Sequence, residues 1–245
     1  MPQAGILGVM KITLDALDAW LAGPLGRTLL AAERAATAAA LEQVFGTQFL
    51  QIGQWGPLDG FMPLARTPRR ALAAEPGAHG DLVCHASSLA VQSQSIDAVL
   101  LPHTLEFEPE PHEVLREVQR VLVGEGHLLV LGFEPAGAWA VRHYGSLHGF
   151  PPGLVRLLSR GRLRDWLRLL GFEVLEARRF LHTPPIVRLQ GTALARVLEY
   201  GGVRCDGRLG AVYLLKARKR VYSLTPVRPM RRRARALVGA LAEPT

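Results

Sequence analysis

The chain has 245 residues and a formal net charge of +8, with 49% hydrophobic and 20% charged residues. That balance is enough for one large folded domain and excludes an intrinsically disordered protein. No run approaches the roughly 18 uninterrupted apolar residues of a membrane span. Two cysteines, Cys84 and Cys205, with no CxxC spacing exclude a disulfide scaffold and a thiolate zinc site. Asp15 and Asp18 interrupt the apolar N-terminal stretch, and no basic segment precedes a short apolar core. A cytoplasmic protein is therefore expected.

The charge is unevenly placed. Residues 1–215 hold 20 Lys and Arg against 20 Asp and Glu, whereas residues 216–245 hold nine basic residues and one acid, Glu243. The excess lies in a tail, KARKRVYSLTPVRPMRRRARAL, that offers phosphate contacts for a nucleic acid through residues 216–235. A solvated chain end is the preferred explanation, because three lysines against 26 arginines mark a general bias towards arginine.

Apolar spacing predicts a first helix with Leu14, Leu17, Trp20 and Leu21 on one face, a break at Pro24 and Gly26, and an Ala-rich helix from about Thr28 to Val44 ending near Gly46. Short strands are expected at Phe49–Gly53, Arg70–Ala74 and Asp81–His85. A fourth runs from Ser95 to His103. Glu110–Leu122 reads as a helix stopped by Gly124–Gly126, followed by a near-continuous apolar strand, His127–Phe133. A helix to Leu170, a stop at Gly171 and a strand from Phe172 come next, and Gly210–Lys219 is the last strand. Glu134–Arg160 and Leu181–Arg208 read as irregular. The alternation implies an α/β fold with a doubly wound, mostly parallel sheet, and such sheets bind ligands beyond the carboxyl ends of their strands.

Within this frame, SIDAVLLPHTLEFEPEPHEVLREVQRVLVGEGHLLVLGF, residues 95–133, resembles strand four, loop, helix, turn and strand five of the class I S-adenosylmethionine-dependent methyltransferases of the type 11 kind. The resemblance runs from Phe49 to about Glu134 and is nearest to a bacterial branch with LPHxLEF, here Leu101–Phe107. It implies a Rossmann-like sheet of seven strands, the last antiparallel, and S-adenosylmethionine as cofactor. It also divides the chain into N-terminal helices covering the site (1–46), a methyltransferase domain (47–220) and a basic tail (221–245).

The resemblance further implies particular contacts. Gln51 stands where the family carries an acid, and Gly53 and Gly56 fall on its cofactor loop, where the backbone approaches the ligand without a side chain between them; Gly60 is offset from the family spacing. Glu75, 22 residues after Gly53, is expected to accept hydrogen bonds from the ribose diol. His85 takes the position of the acid that accepts from the adenine amino group, with Ala86 and Ser87 beside the ring. Leu101 and Pro102 close the cofactor site at the end of strand four.

Past that strand, His103 is expected to be the general base, since an imidazole titrates near neutrality, with Glu106 orienting it or touching substrate. Glu108, Glu110 and Glu113 read as favourable charges at the start of the next helix. Aromatics around Trp20 and Trp139 are expected near the acceptor, and Arg156, Arg160, Arg162, Arg164 and Arg168 form a candidate basic face. No metal is expected: His143 and His148 lack ligand spacing. The expected activity is methyl transfer to an unidentified acceptor. The alternative is a degenerate methyltransferase fold serving as a binding module, with RNA or an acidic partner on the tail. A nucleotide-dependent oxidoreductase lacks its GxGxxG signature.

Overall fold

The computed structural model describes residues 15–146, 150–189, 192–204 and 210–221. Leu14, His148, Cys205 and the tail from residue 222 lie outside the described residues. Seven strands form one sheet in the order β3-β2-β1-β4-β5-β7-β6. They are β1 (Gln48–Ile52), β2 (Arg69–Ala74), β3 (Leu82–Val83), β4 (Ile96–Pro102), β5 (Leu122–Phe133), β6 (Phe172–Phe180) and β7 (Val212–Lys219). All pairs are parallel except those of β7, which runs antiparallel to both β5 and β6.

The alternation of side chains along the strands divides the core into two layers. Phe49, Ala98, Leu100, Leu129, Leu131, Val212 and Leu214 face one side. Leu50, Val99, Leu101, Leu128, Val130, Tyr213 and Leu215 face the other. The first side is covered by α1 (residues 15–21) and α2 (Pro24–Leu41), through Leu17, Leu21, Leu25 and Leu29. The second is covered by α4 (Pro111–Val121), through Val114, Leu115, Val118 and Val121, and by α6 (Arg160–Leu169), through Leu163 and Leu167. Between β4 and α4 lies the single turn α3 (Thr104–Phe107).

Several boundaries differ from those read in the sequence. Pro24 opens α2 instead of ending a helix, because a first-turn proline gives up no hydrogen bond. Gly26 is part of α2, where a Cβ would come within 2.3 Å of the Leu21 backbone. The helix ends at Leu41, before Gly46. Gly124–Gly126 lies inside β5, where the register shifts opposite Ile96 and Ala98 and Glu125 takes φ 62°. The strand expected at Asp81–His85 shrinks to two residues. The two stretches read as irregular contain α5 (Ala138–Tyr144), a short 3-10 turn (Val187–Leu189) and α7 (Ala193–Arg204).

The residues that begin the basic tail are structural. Lys216 donates from Nζ to the carbonyl of Ala40 at 2.9 Å, tying β7 to the end of α2. Lys219 donates to the carbonyls of Gln119 and Leu122, capping α4. Arg218 and Arg220 pair with Glu173 and Glu125. The strand thus consumes four of the cations that the sequence offered to a nucleic acid. Among the described residues no helix is long and apolar enough to cross a membrane.

Candidate active site

The chain steps outward from β1 to β2 and β3, then returns to place β4 on the other side of β1. That reversal opens a crevice at the carboxyl ends of the parallel strands. A pocket of about 570 Å³, its open mouth included, occupies the crevice. Its wall comes from the end of β1 (Ile52, Gly53, Gln54, Trp55), β2 (Ala73, Glu75), β3 (Cys84, Ala86) and β4 (Pro102, Thr104), with Phe107, Glu108 and Leu17 completing it.

Gly53 is the tightest point. Its φ is +90°, and a Cβ there would lie 2.7 Å from Thr104 Oγ1, which donates to the Ile52 carbonyl at 2.5 Å. Only glycine keeps this backbone in place. Gln51 lies beneath it and donates from Nε2 to the Gly53 carbonyl at 3.0 Å. Its Oε1 is buried and has no hydrogen-bond partner among the described residues.

Glu75 follows β2 and accepts from the Ala86 N–H at 2.7 Å, with His85 Nδ1 2.6 Å from its other oxygen. Each carboxylate oxygen has a second lone pair, so the group still has acceptor capacity for a diol. Glu108 is half-buried beside it. Burial first, then the charge and hydrogen bond of Glu75, push its carboxyl up to about 7, against the opposing pull of His85. The mouth therefore carries two neighbouring carboxylates.

Behind the pocket lies a buried polar set. His103 is the first residue after β4, held at φ 58° and wholly shielded from solvent. Its Nε2 lies 2.7 Å from Glu33 Oε1 and its Nδ1 2.7 Å from Glu106 Oε2; in the protonated imidazole, which its raised pKa favours, both N–H groups donate. The Trp55 indole N–H donates to the second oxygen of Glu33 at 2.8 Å, and the Phe133 N–H to the second oxygen of Glu106 at 2.9 Å. The imidazole lies between Trp55 and Phe133, with ring centroids 4.3 Å away on each side. Burial alone would lower its pKa; the charges and hydrogen bonds of Glu33 and Glu106 reverse that and raise it to about 9. Burial pushes the Glu106 carboxyl up, opposed by His103 and the Phe133 N–H.

The structure gathers some of the expected residues and disperses others. Gly53, Glu75, Ala86 and Pro102 line the pocket, and Gln51 adjoins it. Gly56 does not; it abuts Leu30 of α2. His85 is largely exposed and turned to Glu75, and the Ala86 N–H expected at the adenine ring also serves Glu75. Ser87 is exposed outside the pocket. Leu101 points into the core, because strand alternation sends it away from the crevice. His103 is not placed as a general base: both nitrogens donate to buried carboxylates, which leaves no lone pair for an incoming proton, and Glu106 is equally enclosed.

Sequence reasoning missed Glu33 and assigned Glu108 to a helix start although it lines the pocket. Trp20, Trp139 and Phe150 pack edge-on or tilted against one another, and Trp139 donates to the Thr183 carbonyl, so these aromatics are core. In the candidate basic face, Arg156 and Arg160 donate to the carbonyls of Pro109 and Ala177. Among the described residues no cluster of metal-ligating side chains exists.

The sheet order, the antiparallel β7 and the pocket at the switch point define the class I methyltransferase fold. Residues 65–130 match the family model described as a methyltransferase domain. The chain is 37% identical over 158 residues to the protein YafS of Escherichia coli K12, covering 62% of each sequence. It spans about six-tenths of the length of the curated relatives it matches. Among solved structures it is similar to a chain of the Haloferax volcanii complex between the Trm112 methyltransferase activator and a methyltransferase (TM-score 0.59, 18% identity, 85% of this chain and 98% of that one). An S-adenosylmethionine-dependent methyltransferase from Thermotoga maritima is similar too (TM-score 0.54, 20% identity, 76% and 89%).

Proposed function

We propose that this chain binds S-adenosylmethionine in the crevice beyond β1, β2 and β4 and transfers its methyl group to an acceptor. The observation that carries the reading is the conjunction of Gly53, held at positive φ against Thr104, with Glu75 across a pocket of about 570 Å³. The bound cofactor supplies a methyl group activated by its sulfonium. The chain's own contribution is position: Gly53 admits the ligand's backbone-facing edge, Glu75 accepts from the ribose hydroxyls, and Pro102 and Thr104 bound the reacting end. Gln51, with its unpaired Oε1, offers an acceptor beside Gly53.

In-line transfer from a sulfonium needs an oriented nucleophile more than an acid or base, and orientation carries much of the rate. With His103 enclosed, the acceptor either loses its proton to solvent or reacts through a lone pair it already has. The alternative, a degenerate fold that serves only to bind, predicts cofactor binding without transfer. Incubation with methyl-labelled S-adenosylmethionine and fractionated bacterial extract tests the activity. Label in an acceptor fraction with matching S-adenosylhomocysteine, absent for Gly53→Val, supports transfer. Cofactor binding without label in any fraction contradicts it.

A further inference from the structure

We propose that Glu33, on α2, is a positioning residue for the cofactor pocket: by accepting from both Trp55 and His103 it fixes the loop after β1, which makes α2 part of the cofactor site. This rests on reading the pocket as the cofactor site.

Glu33 lies on the buried stripe of α2 with Leu25, Leu29, Ala36 and Ala40, and it is fully shielded. A carboxylate there carries a desolvation cost that an apolar side chain of similar size would avoid. What an apolar side chain lacks is the ability to accept two N–H groups arriving from different segments. One comes from Trp55 at 2.8 Å, in the wall of the pocket two residues after Gly53. The other comes from His103 at 2.7 Å, between the pocket residues Pro102 and Thr104. Glu33 therefore spans the two segments that bound the reacting end of the pocket. The far side of the imidazole is closed by Glu106, so no solvent replaces a lost acceptor. Removing the carboxylate strands two buried donors, and the loop has to move to satisfy them.

The chemistry separates two substitutions. Glu33→Met keeps the volume and helix propensity but accepts from neither donor. Glu33→Gln accepts from the Trp55 indole with its carbonyl oxygen. Its amide N–H then donates to Nε2 of a neutral His103, whose Nδ1–H still serves Glu106. The second variant re-forms the network without the imidazolium charge.

The test is the affinity for S-adenosylhomocysteine by isothermal titration, with thermal melting alongside. Glu33→Met is expected to bind roughly tenfold or more weakly, the effect of stranding a buried donor, while Glu33→Gln stays within about threefold of the unaltered chain. A purely structural role moves the melting temperature of Glu33→Met and leaves its affinity unchanged, which would overturn the proposal. Should Glu33→Met not fold, the Trp55 indole proton decides, assigned with Trp55→Phe. Its signal should be protected from solvent exchange and should shift on saturation with S-adenosylhomocysteine; a signal indifferent to the ligand overturns the proposal. If the unaltered chain binds neither S-adenosylmethionine nor S-adenosylhomocysteine, the cofactor reading falls and this inference with it. Binding with equal affinity in all variants removes the inference alone.

Discussion

Glu33 and His103 are 70 residues apart in sequence and meet at 2.7 Å with neither side chain exposed to water. One belongs to the helix that covers the sheet and the other to the first turn past β4, so a single contact joins the N-terminal layer to the carboxyl edge of the sheet.

This contact gives the fold a pH dependence. The titratable groups bonded to the imidazole are Glu33 and Glu106, and Tyr213 lies close enough to Glu106 to feel its charge. The folded-state pKa of His103, about 9, exceeds the ordinary value of 6.5. Its contribution to stability is complete below 6.5 and is lost as pH rises through 9. Urea unfolding should show stability falling between pH 7 and 9.5. A His103→Asn variant, whose side chain tolerates the left-handed backbone, should lack that slope.

At Gly53 a branched side chain would meet both the positive φ and the Thr104 hydroxyl. Gly53→Val is expected to weaken cofactor binding by about a hundredfold and to cost about 1–3 kcal/mol of stability, as backbone forced from its allowed region does. Titration calorimetry and urea unfolding read the two effects separately. Unchanged binding would place the cofactor loop elsewhere.

Glu108 should make cofactor affinity respond to pH near neutrality. Its carboxyl, raised to about 7 by burial and by Glu75, ionises between pH 6 and 8. As a raised acid, its contribution to fold stability is complete below its ordinary 4.5 and lost as pH rises through 7. Ionisation adds an acceptor beside Glu75, so affinity for S-adenosylmethionine is expected to increase from pH 6 to 8. Glu108→Gln should flatten that profile in calorimetric titrations.

Lys216→Met removes the donor to the Ala40 carbonyl. Leaving that carbonyl unpaired is expected to cost about 1–3 kcal/mol in urea unfolding, with cofactor affinity unchanged. A matching loss of affinity would mean that the end of α2 reaches the pocket by another route.

The fold was legible where local pattern and tertiary role agree. The apolar run of β5 and the 3.6-residue spacing of α4 mark a strand covered on both faces and its covering helix, and Gly171 stops α6 as read. The pocket was legible where backbone geometry dictates a residue, as at Gly53. It was illegible where a side chain's partner is distant in sequence. Nothing within His103–Phe107 announces that the imidazole faces Glu33. The signal that existed was on α2: an acid at i+4 from Leu29 on a stripe otherwise free of charge, a position a solvated glutamate does not take. Leu101 was misplaced by one step of strand alternation, and Glu108 because a charge just before a helix has an ordinary explanation.

Cofactor binding in the crevice is tested most directly by calorimetric titration of the chain with S-adenosylmethionine and, separately, S-adenosylhomocysteine, repeated with Gly53→Val and Glu75→Ala. A dissociation constant of about micromolar order is expected for at least one ligand, weakened sharply by both substitutions. No heat up to about millimolar ligand, with no thermal shift, would contradict it.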